Sequence, residues 1–375
     1  MKIGFDAKRL YNNFTGLGNH SRTTIDILTE YFPENDFFLY TPKVKGNNVT
    51  KPYLTKEHCH TILPQGLMKG SFWRTLGLVG EMKKNGVEVF HGLSNELPLG
   101  IKNSGIKSVL TIHDVAFKTF PDMYNWIDRV IYDIKWNYAC KAADRIIAIS
   151  ECTKKDIIHY YNIPEDKIDV VYQPVNPIYY QEDKQKKPEI LTKILGENAE
   201  RPYMLYVGTI NSRKNLLGIV KAMEQLPKDL QIPLVVVGNG GAYKQKVLSY
   251  ISEHNMEDLF IWTEIIGHDQ LMQLYLNATL FVYPSFYEGF GLPVVEAELC
   301  GCPVVTSNVS SLPEAGGPFA LQVNPESVED ISSNMAKLLS DPNLRLDLGK
   351  KAHDYAMETF HPSVLSKQLM EVYKK

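Results

Sequence analysis

Tyr283-Pro284-Ser285-Phe286-Tyr287-Glu288-Gly289-Phe290-Gly291-Leu292-Pro293-Val294-Val295-Glu296-Ala297 is the stretch on which the reading of this chain turns. The residues that lead into it, 278–283, are apolar and rich in β-branched and aromatic side chains, which predicts a short buried strand. Pro293 then opens a helix, because its missing N–H has no partner at a first helical position and its φ is already helical. Glu288 therefore falls in the loop and Glu296 in the first helical turn. An unbroken helix would hold the two carboxylates about 12 Å apart along its axis and on different faces. A loop that runs into a helix start brings them to one cleft instead. Gly289 and Gly291, between them, permit positive φ and carry no side chain, so amides at the helix N-terminus can approach an anion closely.

Amides for phosphate and carboxylates for hydroxyls suit a nucleotide-sugar. Two carboxylates repel a diphosphate, however, unless cations stand opposite. Arg213 and Lys214, a few residues beyond a predicted strand at 203–207, are the candidates: arginine grips phosphate as a fork and lysine acts as a point charge. A cation at a helix N-terminus is disfavoured by the helix dipole, so two of them there point to a bound anion.

Glu288 and Glu296, with seven residues between them, resemble the paired-glutamate motif of the family-four retaining glycosyltransferases, also called group 1. Gly208-Thr209-Ile210-Asn211-Ser212-Arg213-Lys214-Asn215 is similar to that family's phosphate-gripping loop, Thr15-Gly16-Leu17-Gly18 to its N-terminal glycine loop, and His113-Asp114 to its acceptor-side histidine motif. The resemblance runs from the first strand to the C-terminal helix. It implies an α/β chain of the GT-B fold, two Rossmann-like doubly wound parallel-sheet domains facing across a cleft. It also implies roles. Glu288 would bind the donor sugar's hydroxyls, beside Gly289, Phe290, Gly291 and Leu292, and Glu296 the ribose hydroxyls. Arg213 and Lys214, with Gly208, would hold the diphosphate and stabilise the leaving nucleoside diphosphate. Gly16, Leu17 and Gly18 would close over that diphosphate from the opposite domain. His113 would meet the reacting end of the donor or the acceptor, with Asp114 orienting its imidazole. The resemblance implies transfer on one face of the sugar, with the leaving phosphate taking the acceptor's proton. No cofactor and no metal is expected, since the nucleoside-diphosphate sugar is a substrate and no Asp-x-Asp pair stands at a strand end.

The opening Lys2-Ile3-Gly4-Phe5-Asp6-Ala7-Lys8-Arg9 and the Thr15–Asn19 loop look like those of bacterial mannosyltransferases, which makes GDP-mannose the expected donor. Nothing in the residue chemistry itself separates guanine from uracil. The expected acceptor is a hydroxyl of a glycan or of a lipid-linked glycan in surface polysaccharide synthesis. Within the fold, a nucleotide-sugar epimerase or hydrolase is the alternative, and outside catalysis a sugar-nucleotide-binding subunit; product analysis separates them. Gly16 and Gly18 also suggest a dinucleotide fingerprint, but Ser21 stands at the third glycine position and the acid near residue 36 precedes its strand. A nicotinamide enzyme is thereby disfavoured.

A chain of 375 residues exceeds one ordinary core and predicts two domains. Hydrophobic content of 44% and charged content of 22% are those of an ordinary globular protein. No run of 18 apolar residues occurs, and an acidic residue interrupts the N-terminal apolar segment, so neither a transmembrane helix nor a signal peptide is expected and the protein is placed in the cytoplasm. A net charge of −3 gives no general attraction to nucleic acid. The five cysteines, Cys59, Cys140, Cys152, Cys300 and Cys302, show no metal-ligand spacing and are expected as reduced thiols in or near the core.

The first half alternates predicted strands, at 3–6, 37–40, 87–90, 108–112, 145–149 and 168–172, with helices. Among these are 19–31, with Asn19 as N-cap, and 151–160, capped by Ser150. A second set of strands follows at 203–207, 234–237, 259–262, 280–283, 304–306 and 319–323, with helices including 215–225 and 269–276. The expected domains are thus 1–178 and 203–358, joined by a Pro- and Lys-rich linker at 179–202, with a helix at 359–375 crossing back to the first domain. Two aromatic and basic clusters remain. One lies within 117–145, where Trp126, Tyr132 and Trp136 accompany Arg129, Lys135 and Lys141, interleaved with acids; the other is Lys69, Phe72, Trp73 and Arg74. Each reads equally as a peripheral contact with the inner membrane face or as a core helix with solvated charges.

Overall fold

The architecture is that of a computed structural model, which describes residues 1–65, 70–181, 184–264 and 266–375. Lys69, and Glu182 and Asp183 of the expected linker, lie outside the described residues. The chain divides into two compact units, Met1–Pro174 with Pro362–Lys375, and Val175–His361.

The first unit is built on strands β1 (Lys2–Asp6), β2 (Asp36–Tyr40), β3 (Cys59–Ile62), β4 (Val89–Gly92), β5 (Lys107–Ile112), β6 (Arg145–Ala148) and β7 (Ile168–Val170), all parallel in the order β3-β2-β1-β4-β5-β6-β7. Successive residues of a strand point to opposite faces, and here both faces are apolar. Ile3, Phe5, Phe37 and Leu39 enter one core cluster, while Phe38, Tyr40, Phe90 and Leu110 enter the other. The edge strand β3 escaped the sequence reading because it pairs only with β2 and carries a half-exposed Cys-His-Thr-Ile pattern with no apolar run.

The C-terminal helix Pro362–Lys374 belongs to this unit: Leu365, Leu369, Met370, Val372 and Tyr373 are buried in the cluster around β1. Each such side chain contributes about 1.5–3 kcal/mol. Tyr373 also places its hydroxyl 2.7 Å from His91 Nδ1, and His91 Nε2 stands 2.7 Å from Thr111 Oγ1. His91 is therefore a core residue; burial pushes its pKa down to about 3.

The second unit carries β8 (Met204–Val207), β9 (Leu234–Val237), β10 (Phe260–Thr263), β11 (Leu280–Tyr283), β12 (Val304–Ser307) and β13 (Leu321–Val323), also parallel, in the order β10-β9-β8-β11-β12-β13. In each sheet the strand order reverses once, between β1 and β4 and between β8 and β11. A doubly wound sheet opens a crevice beyond the carboxyl ends of its strands at that reversal. The loops at that reversal are those after β1 and β4 in the first sheet and, separately, those after β8 and β11 in the second.

Several boundaries differ from expectation. The helix after the glycine loop begins at Gly16 with Thr15 as N-cap, not at Asn19, so Gly16-Leu17-Gly18 forms its first turn. Asn13 makes the earlier start: its side-chain oxygen accepts from Thr15 N and Gly18 N, both at 3.0 Å, in place of a cap inside the helix. Ser150 caps Glu151–Tyr161 as expected, accepting from Thr153 N. Helix Leu292–Leu299 starts one residue before Pro293, because Gly291 at φ +113 turns the chain into it. Glu296 thus begins the second turn and not the first. Residues 179–202 are more than a linker: they hold helix Pro188–Leu195, and Gln273, on helix His268–Asn277, accepts from Lys187 N at 2.8 Å.

Candidate active site

The loop after β8 leaves at Gly208 and folds into a tight turn, Ser212–Lys214, capped by the Asn211 side chain, which accepts from Lys214 N at 3.1 Å. Asn215, at φ +57, ends the turn and sends the chain into helix Leu216–Glu224. Its side-chain amide donates to Pro284 O at 3.1 Å and Pro325 O at 2.8 Å, which ties this loop to the one after β11. Phe286 N donates to Arg213 O at 2.8 Å in the same sense. Glycine is required nearby: a Cβ on Gly238, after β9, would stand 2.0 Å from Gly208 O.

These ties bring Arg213, Lys214 and Glu288 into one cluster. Glu288 Oε1 stands 3.0 Å from Lys214 Nζ, and Oε2 stands 3.2 Å from Arg213 Nη1. Tyr283 and Ser285 donate hydroxyls to the same Oε1 at 3.0 and 2.9 Å. Lys214 Nζ also donates to the Tyr283 hydroxyl and lies over the Tyr283 ring, and Arg213 donates to Tyr287 O. Burial acts to raise the Glu288 pKa, but Lys214 and then Arg213 outweigh it and hold the carboxylate at about 2. Burial lowers the Lys214 pKa, with Glu288 opposing. The Glu288 backbone is fixed as firmly. Its N–H donates to Ser310 Oγ at 3.0 Å, whose hydroxyl returns to Glu288 O at 2.7 Å, and Ser311 Oγ stands 2.8 Å from Phe290 O. Gly289, Phe290 and Gly291 are buried, with Phe290 edge-on to Phe360 at 5.4 Å. A Cβ on Gly291 would approach Leu312 to 2.8 Å at a φ that other residues rarely adopt.

Glu296 is buried one helical stage further on and accepts from the Tyr275 hydroxyl at 3.1 Å. Burial pushes its pKa up to about 8, against that hydrogen bond. The two carboxylates of the motif are thus held in opposite protonation states near neutral pH: Glu288 as an anion among cations, Glu296 as an acid beside a phenol.

In the first unit, Gly16 and Leu17 occupy the first two helical positions, where amides have no intrahelical acceptor. The Gly18 amide is already bonded to Asn13 Oδ1, and a Cβ on Gly18 would collide with Asn13 O at 1.8 Å. His113 follows β5, its N–H accepted by Asn95 Oδ1 at 3.1 Å and its Nε2 2.8 Å from Leu93 O. A carbonyl only accepts, so Nε2 carries the proton and Nδ1 the lone pair. Burial lowers the His113 pKa, which keeps the ring neutral. Leu93 O does the orienting expected of Asp114, whose Oδ1 accepts instead from Ala116 N at 3.0 Å. His20 stands edge-on to His113 at 4.5 Å, with both ring nitrogens buried and unpartnered among the described residues.

Ser285 is marked in the sequence as a polar residue at a strand end, whereas Tyr275, Tyr283, Ser310 and His20 were not singled out. Tyr283 and Ser285 lie inside the quoted stretch, and their alternation about Pro284 with Glu288 three residues on was the available signal. Among the described residues no three His, Cys, Asp or Glu side chains gather as a metal-binding group, and the five cysteines form no disulfide, with Cys140 and Cys302 buried.

Two family models match: glycosyltransferase family 4 over residues 22–178 and glycosyl transferases group 1 over residues 188–355. The chain belongs to this family of glycosyltransferases. It is 34% identical over 263 residues to O-antigen chain mannosyltransferase B of Escherichia coli, an alignment covering 68% of this chain and 66% of that one. It is 32% identical over 231 residues to the serotype-specific mannosyltransferase WbdA of Escherichia coli, covering 56% of this chain and 26% of the relative. The chain therefore spans just under two thirds of the one relative and about a quarter of the other. A solved glycosyltransferase from Rickettsia africae superposes with a TM-score of 0.76 at 19% identity, over 100% of this chain and 97% of that one, and shares the fold.

Proposed function

We propose that the protein is a retaining hexosyltransferase that moves mannose from GDP-mannose to a hydroxyl of a glycan or lipid-linked glycan in surface polysaccharide synthesis. The observation that carries this reading is the junction of Arg213, Lys214 and Glu288 at the β8/β11 reversal of the second sheet. Cations for a diphosphate and a carboxylate for sugar hydroxyls meet there on rigid, mutually bonded loops, as a nucleotide-sugar requires. Glu296 supplies the acceptor oxygens for a ribose. Arg213 and Lys214 take the charge that develops on the leaving nucleoside diphosphate, so the reading assigns no step to a metal or cofactor. His113, neutral and with a lone pair on Nδ1, serves the acceptor side. Mannose as the sugar is supported by the two mannosyltransferase relatives.

No described helix is long and apolar enough to cross a membrane. The reading places the enzyme in the cytoplasm, peripheral to the inner membrane face where a lipid-linked acceptor stands. The test is a thermal-shift panel of GDP, UDP, ADP, NAD and their common sugar conjugates. A ligand at about 100 times its Kd stabilises by about 2.7 kcal/mol, a shift of a few degrees. A response to GDP and GDP-mannose supports the reading. A response to UDP conjugates alone keeps the enzyme class and replaces the donor, and silence throughout removes the nucleotide-sugar site. Retention is read from the anomeric configuration of the product.

A further inference from the structure

Tyr283, the last residue of β11, is fully buried, and its hydroxyl joins both members of the Lys214–Glu288 pair. It accepts from Lys214 Nζ and donates to Glu288 Oε1 at 3.0 Å. A phenol has one proton to give. Tyr283 has no acceptor but that carboxylate among the described residues, so its proton is committed there. Ser285 differs: its hydroxyl lies 2.9 Å from Glu288 Oε1 and 3.2 Å from Arg213 O, and its single proton serves one of them at a time. Burial, and then the neighbouring carboxylate, raise the Tyr283 pKa well above the ordinary phenol value, which keeps the proton in place.

The Tyr283 ring is fixed without help from the cations. It stacks on Phe281 at 5.6 Å and 18°, and lies 6.1 Å from the ring of Tyr206 on β8. Tyr283 O accepts from Thr306 Oγ1, on β12, and from Ser285 N, both at 3.0 Å. Phe281 in turn meets Tyr275, the phenol that donates to Glu296, edge-on at 5.4 Å. Each carboxylate of the motif thus has a tyrosine of its own, and one aromatic row carries both.

A diphosphate that draws Lys214 and Arg213 leaves Glu288 buried without its cations, and an unpaired buried carboxylate takes up a proton. Protonated, Glu288 accepts more weakly from sugar hydroxyls. The donors that remain on Oε1 are the two neutral hydroxyls, of which Tyr283 is the committed one. The titratable and charged groups that face Glu288 among the described residues are Lys214 and Arg213 from the loop after β8, Tyr206 from β8, and Tyr283 itself. Burial raises the Tyr206 pKa too, so that phenol also stays neutral.

We propose that Tyr283 is a positioning residue: it holds the Glu288 carboxylate, with Ser285 in support, while Lys214 and Arg213 turn to the diphosphate. This rests on the reading of Arg213 and Lys214 as the diphosphate grip.

The test uses Tyr283→Phe, which keeps the ring, its stacking and its place under Lys214. Pyrophosphate is the probe, and calorimetry in buffers of differing ionisation enthalpy counts the protons taken up as it binds. Between about pH 5 and 8 the uptake profile of the variant is expected to lie about one pH unit above that of wild type, since loss of one hydrogen bond to a charged group is worth about tenfold. The acidic limb of kcat for sugar transfer should rise by the same amount, with KM for the donor changed less than about threefold. Ser285→Ala should move both by less. Coincident profiles overturn the proposal, as does a larger displacement in Ser285→Ala. So does a net uptake near one proton by the wild type at pH 7, a measurement that needs no variant. Failure of the wild type to bind pyrophosphate removes the grip and the proposal with it. Displaced profiles with no sugar transfer by the wild type remove the transferase reading and leave the hold on Glu288, whereas transfer with coincident profiles removes the hold alone.

Discussion

Lys214 Nζ lies 3.0 Å from Glu288 Oε1, so the cation proposed to grip the donor's diphosphate is already held by the carboxylate proposed to read its sugar. Arg213 shares that carboxylate at 3.2 Å. A diphosphate that engages these cations competes with Glu288 for them. Charge-assisted hydrogen bonds exceed neutral ones by about 1 kcal/mol each. Glu288→Gln is therefore expected to bind GDP about tenfold more tightly by titration calorimetry, while sugar transfer falls about 10² or more for want of a carboxylate. Weaker nucleotide binding in this variant would mean that Glu288 organises the cations and does not compete for them.

Lys214→Ala removes the charge that follows the departing diphosphate. Its contact strengthens as the glycosidic bond breaks, so kcat/KM is expected to fall about 10² or more, as on loss of one oxyanion donor. Glu288 would keep Arg213 but lose the cation that does most to depress its pKa. Steady-state kinetics checks the first point, and a rate near wild type would remove Lys214 from the phosphate grip.

Glu296 has a pKa of about 8, raised by burial, while a ribose diol donates best to the ionised form. Nucleotide binding should then release a proton below pH 8. Affinity for the nucleoside diphosphate should climb with pH up to about 8 and level beyond it. Glu296→Gln should bind more weakly and without that pH dependence. Tyr275→Phe removes the hydrogen bond that favours the carboxylate, at 3.1 Å, and should move the plateau to higher pH. Calorimetry in buffers of differing ionisation enthalpy measures the released proton. A flat profile in the wild type would deny Glu296 the ribose.

What the sequence made legible follows from periodicity and local chemistry. The apolar runs 234–237 and 280–283 coincide with β9 and β11, because strands buried on both faces admit little else. Arg213, Lys214 and Glu288 were legible as residue types for a phosphate and a sugar. That they bond to one another was not, since it depends on Asn215 and Phe286 crossing between two loops. Tyr275 was invisible for the same reason: it meets Glu296 from a helix 21 positions away. The helix start at Gly16 was missed because Asn13, outside the helix, takes the amide bonds that a cap would take. Helix Trp126–Ala142 was equivocal because an apolar stripe in a helix predicts a buried face, and only tertiary structure shows that this stripe is turned outward.

Glu298, two residues beyond Glu296, is fully buried, and neither carboxylate oxygen has a partner among the described residues. Burial alone raises its pKa well above the ordinary carboxylate value. In the unfolded chain the group ionises near pH 4.5, so between that value and its folded pKa the native state holds the extra proton. The cost grows with pH by about 1.4 kcal/mol per unit. Glu296 acts in the same direction up to about pH 8. Stability should therefore decline as pH rises from 5 to 8. Glu298→Met keeps the side chain's length without the acid. It is expected to raise the melting temperature slightly at pH 5 and by several degrees at pH 8, which flattens the decline and leaves the part due to Glu296. Thermal denaturation of both proteins across that range measures it, and a variant less stable than wild type at pH 8 would show that the Glu298 carboxyl contributes an interaction that outweighs its burial.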